Sequence, residues 1–416
     1  MKNKYTFIRI TAVLATVFID QIASAQWSSV SPAGPAQWFS IYCTDASTAY
    51  VAGYQGKMKK TSNGGDTWDS LATGMNVDIK GVQFPTSSTG YAVGGTSLIK
   101  TTDGGTTWTL WTNNPFGTLG YYTGVYFTDA NHGIVIGYFG STGLIIQTTD
   151  GGGTWTVISQ PYFYGKVNGV YFVNSSVGFM VGSGGSIAKT TDGGVTLSLQ
   201  DSIGNGSTAF NAVHFSSVNV GYCVGDAGAM YKTSDGGSNW VALSPNTTAN
   251  LSSVYFTDDN KGWAVGHPES NPFTAGIMLH TTDGGTTWAT EILPSANSLN
   301  SICFSPDKTA AYTAGFMTVM KNSSPNSIKD ETDFSDNVKI YPNPNDGKFN
   351  ITVDTEKKEE IKVRVTNLIG DELLAEEIKN QGLDNKQVDL SSLSKGIYLV
   401  KVSQESSVSI KKIIIQ

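Results

Sequence analysis

Arginine is almost missing from this chain. Only Arg9 and Arg364 occur in 416 residues, and the formal net charge is −7. Without an arginine cluster or a positive balance, the chain lacks the electrostatic footprint of a nucleic-acid binder. Cysteine is scarce too. The three cysteines, Cys43, Cys223 and Cys303, cannot build a disulfide framework. All lie in short apolar runs, so buried, inert thiols are expected. The four histidines, His132, His214, His267 and His280, have no H-x-x-H spacing, and no C-x-x-C occurs. Neither a metal site nor a cofactor is therefore expected. No apolar run beyond residue 25 is long enough to span a bilayer as a helix. Helical periodicity is absent across 26–321.

What fills that stretch is one repeated phrase, T-[ST]-[DN]-G-G-x-x-[WL]. It begins as Thr61-Ser62-Asn63-Gly64-Gly65 and ends on Trp68. Later copies end on Trp108, Trp155, Leu197, Trp240 and Trp288, at steps of 40, 47, 42, 43 and 48 residues. Each is preceded by short runs rich in Val, Tyr, Phe and Ile, bounded by Gly, Ser, Asn and Asp. Gly169-Val170-Tyr171-Phe172 and Gly178-Phe179-Met180-Val181-Gly182 are an example. Such runs suit strands on a packed, pleated surface. Each unit therefore reads as four antiparallel strands, A to D, with the repeated phrase as the C–D turn. Seven A–B pairs can be counted, but the seventh runs past Lys321 into Asn322-Ser323-Ser324-Pro325 with no D-G-G-x-x-W. Trp27–Ser31, conversely, looks like a strand D with nothing before it. The expected solution is a ring closed by both ends of the region, with Trp27–Ser31 as the outer strand of the last unit.

The motif resembles the Asp-box, or bacterial neuraminidase repeat. That repeat occurs in sialidases, sortilin-type receptors, xyloglucan-active endoglucanases and propellers like the photosystem II assembly factor. The resemblance covers residues 26–321 and implies an all-β fold, a seven-bladed β-propeller. It implies no single function, because these families do unrelated things on one scaffold. Asn63, Asp103, Asp150, Asp192, Asp235 and Asp283 are expected to be structural acceptors in the turns rather than ligands. Sialidases clamp a substrate carboxylate with three arginines, and 26–321 contains none. No catalytic residue can be assigned. A carboxylate pair drawn from Asp78, Asp201, Asp226 and Glu269 would be needed for a glycan-active hydrolase. No local motif supports one.

The two ends point outward. Residues 1–25 have a basic start, a short apolar core and Ala23-Ser24-Ala25 as a cleavage site, as in a secretory signal peptide. Residues 322–337 read as a linker. From 338 to 416 the chain alternates in short strands, which suggests a small β-sandwich. The Y-P-N-P-x-x-G-x-F start at Tyr341, the N-L-I-G turn at Asn367–Gly370 and S-K-G-I-Y-L-V-K-V at Ser394–Val402 resemble the type A C-terminal sorting domain of the type IX secretion system. That resemblance implies an immunoglobulin-like module, handling by the type IX machinery, and a place at the outer surface or in the medium.

A partner is expected on the face that gathers the D–A and B–C loops, because exposed aromatics commonly anchor sugars or proteins. The D–A loops carry Trp38, Trp111, Tyr121, Tyr122, Tyr162, Phe163 and Tyr164. The B–C loops carry Tyr54, Tyr138, Asp226 and the insertion 267–276 with His267, Glu269 and Phe273. The reading is a secreted or surface binding protein for a glycan or a protein.

Overall fold

The computed structural model describes residues 27–32, 34, 36–112, 120–158, 163, 165–200, 208–270, 273, 275–295, 297–323, 325, 338–353, 360–367, 372–379, 384–404 and 407–416. The chain divides into two compact units, Ala25–Ser327 and Ile328–Gln416. The predicted leader lies outside the described residues, as does the predicted linker apart from Asn322, which ends a strand, Ser323 and Pro325.

The described residues of the first unit form seven four-stranded antiparallel sheets. Sheet 1 consists of Trp38–Cys43, Ala49–Gly53, Met58–Thr61 and Asp69–Leu71. Sheets 2 to 6 repeat that order within 81–110, 120–157, 167–200, 210–242 and 250–290. Sheet 7 takes Leu299–Phe304, Ala311–Gly315 and Thr318–Asn322 as A to C. Its fourth strand is Ser28–Ser29, with Ser28 opposite Lys321 and Ser29 opposite Met320.

In five sheets strand B is buried along its whole length, and in sheets 3 and 6 its first five residues are, because each sheet is covered on both faces by neighbours. One apolar cluster fills each seam between consecutive sheets, and a further one joins sheet 7 to sheet 1. Four seams share a recipe. The first large residue of strand B is aromatic and stacks on the Phe at the end of, or just after, strand A of the next sheet. Centroids lie 3.8 Å apart for Tyr50–Phe84, 3.7 Å for Tyr91–Phe127 and 3.5 Å for Tyr222–Phe256. In sheets 2 to 6 strand B starts with Gly because the Phe at or just after the end of strand A in its own sheet folds over it. A Cβ on Gly90 would sit 2.4 Å from the Phe84 ring.

The repeated turn locks the same seam from outside. In the copy at Thr101, the Asp103 carboxylate accepts the Thr101 hydroxyl at 2.7 Å and the Thr107 hydroxyl at 2.6 Å. Both turn glycines have positive φ, 70° at Gly104 and 90° at Gly105, a region costly for other residues. The first glycine carbonyl is thereby presented to the preceding sheet. It accepts the Tyr50 hydroxyl at 2.9 Å and the Lys60 ammonium at 3.2 Å. Tyr91 with Lys100, and Tyr222 with Lys232, repeat the arrangement on Gly151 and Gly284. This explains why Lys so often precedes the motif.

One expectation needs correction. Cys43 and Cys303 are not free thiols; they form a disulfide, with Cα atoms 6.1 Å apart across 260 residues of sequence. Strand A of sheet 1 lies beside strand A of sheet 7, so closure brings together two cysteines that spacing alone cannot pair. Cys223 is the buried free thiol, its pKa raised by burial.

The second unit has a three-stranded sheet, Val338–Tyr341, Lys348–Val353 and Asp384–Asp389. Its four-stranded sheet holds Glu360–Thr366, Glu372–Lys379, Gly396–Gln404 and Ser407–Ile415. Both contribute to one core that includes Phe349, Ile351, Val363, Val400 and Ile413. Asn343 of the Y-P-N-P segment fastens to the last strand, donating to Lys412 O at 2.7 Å and accepting from the Ile414 amide at 2.9 Å.

Candidate binding site at the channel mouth

In six sheets the A–B register slips by one residue near the start of strand A. The slip skips Phe39, Thr123, Asn168, Asn211, Ser252 and Asn300. Lys80 is the counterpart in sheet 2, one residue before Gly81–Gln83. Bulges of this kind re-aim a side chain. Here they set a ring of seven residues at one end of the strands that surround the centre.

Four of these residues serve the scaffold. Thr123 Oγ1 donates to Val167 O at 2.5 Å, Asn168 Nδ2 to Phe210 O at 2.9 Å, Asn211 Nδ2 to Leu251 O at 3.1 Å and Asn300 Nδ2 to Trp38 O at 2.7 Å. Each ties its own sheet to the next. Phe39 has no group that could make such a bond. Lys80 instead places its ammonium 3.2 Å from the Phe39 ring centroid and 3.2 Å from Asp78 Oδ2. A cation held against a ring face is favourable, more so where water is thinned. Burial lowers the pKa of Lys80; Asp78 opposes that shift and the charge of Lys166 adds to it.

Around these two residues lies a pocket of about 300 Å³, lined also by Tyr121, Tyr122, Thr123, Tyr138, Lys166 and Asn300. Tyr121 and Tyr138 face each other across the A–B ladder of sheet 3. Their rings stack with centroids 5.3 Å apart, and Tyr121 is 48% exposed. The Lys166 ammonium stands 5.1 Å from the Tyr138 ring.

The other sequence candidates scatter. Trp38, Tyr122 and Phe163, expected on loops, are buried, at 2%, 1% and 2% exposure. They start strands or pack over seams, and a large ring there gains more from its neighbours than from water. Trp111 is half-buried against Trp155. Tyr54 is exposed on a short turn between strands B and C of sheet 1. Phe273 is exposed and meets Phe316 edge-on at 5.3 Å. His267 is partly buried with Nδ1 near Pro268 O, and Glu269 is exposed. Asp226 Oδ1 accepts a hydrogen bond from Asn211 at 2.9 Å. Tyr162, Tyr164 and Asp201 lie outside the described residues. The carboxylates of Asp103, Asp150, Asp192, Asp235 and Asp283, and the amide of Asn63, are all engaged by their own turns. Hydrogen bonds from Thr107 hold Asp103 down at about 2.

The sequence reading missed the bulge ring. Its signal was present: the residue at this position carries a hydroxyl or an amide in five of the seven units, and Phe39 and Lys80 break the pattern.

Deeper in the centre, Tyr42, Tyr126, Tyr171, His214 and Tyr255 line a second cavity of about 380 Å³, beside the disulfide. His214 Nδ1 accepts the Phe256 amide at 3.3 Å, and burial pushes its pKa down to about 3. It is neutral there. Among the described residues, no three His, Cys, Asp or Glu gather as a metal set, and no helix is long and apolar enough to cross a membrane.

This architecture, an all-β set of four-stranded sheets around a centre, is that of a propeller. Residues 163–244 and 202–301 match the family model described as photosynthesis system II assembly factor YCF48, and residues 339–416 match the secretion system C-terminal sorting domain. Among solved structures, YCF48 bound to D1 peptide superposes with a TM-score of 0.59 at 19% identity, covering 72% of this chain and 96% of that one. YCF48 from Cyanidioschyzon merolae gives 0.58 at 18%, covering 72% and 99%. The GH74 enzyme of Niastella koreensis gives 0.56 at 14%, covering 93% and 73%. No curated protein matches the chain. At these identities the structural neighbours show the fold alone. The chain thus carries YCF48-like propeller repeats followed by a type IX sorting domain. The tail implies handling by the type IX machinery and export to the cell surface or the medium.

Proposed function

We propose that this protein is a secreted or surface-displayed seven-bladed binding propeller that recognises a glycan or a protein through its loop face. In this reading, residues 1–25 are removed as a signal peptide, 26–321 form the propeller and 322–337 link it to an immunoglobulin-like sorting domain at 338–416. The observation that carries the reading is the break in the bulge ring. Phe39 and Lys80 give up the sheet-linking bond of their counterparts and stand instead beside the Tyr121–Tyr138 stack at a concave mouth. Concavity, exposed rings and a few convergent polar groups are the usual ingredients of a ligand site. That a similar propeller has been solved with a peptide bound keeps a protein ligand in view.

No observation favours a hydrolase. Asp226 is tied to Asn211, and Glu269 stands on the insertion after strand B of sheet 6. The test is a glycan array and a surface-protein pull-down with the full chain, repeated with Tyr121→Ala and Tyr138→Ala. Binding that falls at least about tenfold in both variants supports the site. Undiminished binding in both sinks it.

A further inference from the structure

The mouth pocket also says what kind of ligand it suits. We propose that it is a subsite for an anionic sugar unit, one ring bearing a carboxylate, as in the uronic acids of acidic polysaccharides. The inference rests on the loop-face reading above and narrows it.

Three observations carry it. First, the chain is acidic overall, with net charge −7, yet two lysines and no acid line this pocket. Lys80 comes from the bulge of sheet 2 and Lys166 from the loop entering sheet 4. They are close enough for the charge of Lys166 to act on Lys80. Two like charges at one rim repel, and Asp78 offsets only one of them. A bound carboxylate would relieve the remainder, and lysine recognises it as a point charge with no geometric fork to satisfy.

Second, Lys80 stands where four other sheets use an amide or hydroxyl to bond the next sheet. Here, as at the adjoining Phe39, the scaffold has given up one of its own bonds. Third, Tyr121 and Tyr138, stacked with their rings 13° from parallel, line the same pocket as Lys80, and Tyr121 keeps an exposed ring there. A sugar ring has an apolar face that packs on such a surface. The volume of about 300 Å³ holds one sugar ring rather than a folded peptide segment. Tyr122, which also lines the pocket, has a buried hydroxyl with no partner among the described residues.

The experiment titrates the full chain with trigalacturonate, neutral galactotriose and a hexapeptide of alternating Asp and Glu, by calorimetry. Trigalacturonate is expected to bind at least about tenfold tighter than the other two. Raising salt from about 0.05 to about 0.5 M should weaken it severalfold. Lys80→Ala and Lys166→Ala should each lose at least about tenfold, and Asp78→Asn, which frees Lys80, should tighten binding. Equal affinity for galactotriose, or indifference to both lysine substitutions, overturns the anionic subsite. If that neutral binding still falls with Tyr121→Ala, the loop-face reading survives. Tight binding of the peptide alone also overturns the sugar assignment. Binding of none of the three probes overturns it as well, leaving the array and pull-down to decide the broader reading.

Discussion

The seam between sheets 5 and 6 and the seam between sheets 6 and 7 do the same job with different parts. In the first, Tyr222 and Lys232 both donate to Gly284 O, at 3.0 and 2.8 Å, and Leu243 packs where Gly285 leaves room. Trp288 wedges the seam. In the second there is no Asp-box to receive anything. His280 occupies the Lys232 position and stacks on Trp263 at 4.8 Å. Glu291 occupies the Leu243 position, and Trp27 arrives from the other end of the chain to act as the wedge. The Glu291 side chain is 3% exposed, with Oε1 3.8 Å from His280 Nδ1 and Oε2 without a partner among the described residues. Burial pushes Glu291 up to about 7 and His280 down to about 4. The motif thus supplies its neighbour with a carbonyl as well as its own sheet with a turn. Where it is missing, the neighbour's cation becomes a neutral ring.

The comparison breaks most easily at the wedge. Trp27→Ala should cost about 3–5 kcal/mol, as a buried Trp truncation does, and match Trp288→Ala. A loss under about 1 kcal/mol in urea unfolding would show that Trp27 is no counterpart of Trp288. Next comes the seam from sheet 7 to sheet 1. The double change Cys43→Ser and Cys303→Ser should lower stability by about 2–4 kcal/mol. Dithiothreitol should reproduce that loss in the native chain and leave the double variant unchanged.

The seam between sheets 6 and 7 also carries a pH signature. The folded pKa of Glu291 is raised, so its contribution is full below about 4.5 and is lost as pH rises towards about 7. That of His280 is depressed, so its contribution is lost as pH falls from 6.5 towards about 4. Glu291→Leu restores the residue type of Leu243. It should stabilise by up to about 3 kcal/mol at pH 8, the worth of a shift from 4.5 to about 7, with a much smaller gain at pH 5. An equal gain at both pH values would rule out an ionisable origin. The smallest expected effect is Asp103→Asn. Asn63 already fills that role, its Oδ1 accepting the Thr67 amide at 3.0 Å, so the change should leave thermal melting nearly unmoved; a clear drop in melting temperature would show that the turn needs the charge.

The strands were legible because their signals are local. Alternation, turn glycines and a motif repeated six times declare a four-stranded unit without help from distant residues. The Asp-box acceptors were legible for the same reason, since their bonds reach only two residues back and four ahead. The aromatic candidates were less legible. Composition marks Trp38 and Tyr121 alike as rings near a strand start, yet one is sealed into a seam and the other is exposed. Which way a ring turns depends on the residue across the ladder and on the next sheet.

By itself the sequence determined the repeating unit, its turns and the export signature of the last eighty or so residues, because each is written in contiguous residues. Tertiary structure alone decided the partner of Cys43, the neutral state of His280 and the meeting of Phe39, Lys80, Tyr138 and Lys166 in one pocket. Those residues are far apart in sequence and become neighbours only when successive sheets pack around a common centre. The burial and bulges that give them their chemistry arise in that packing.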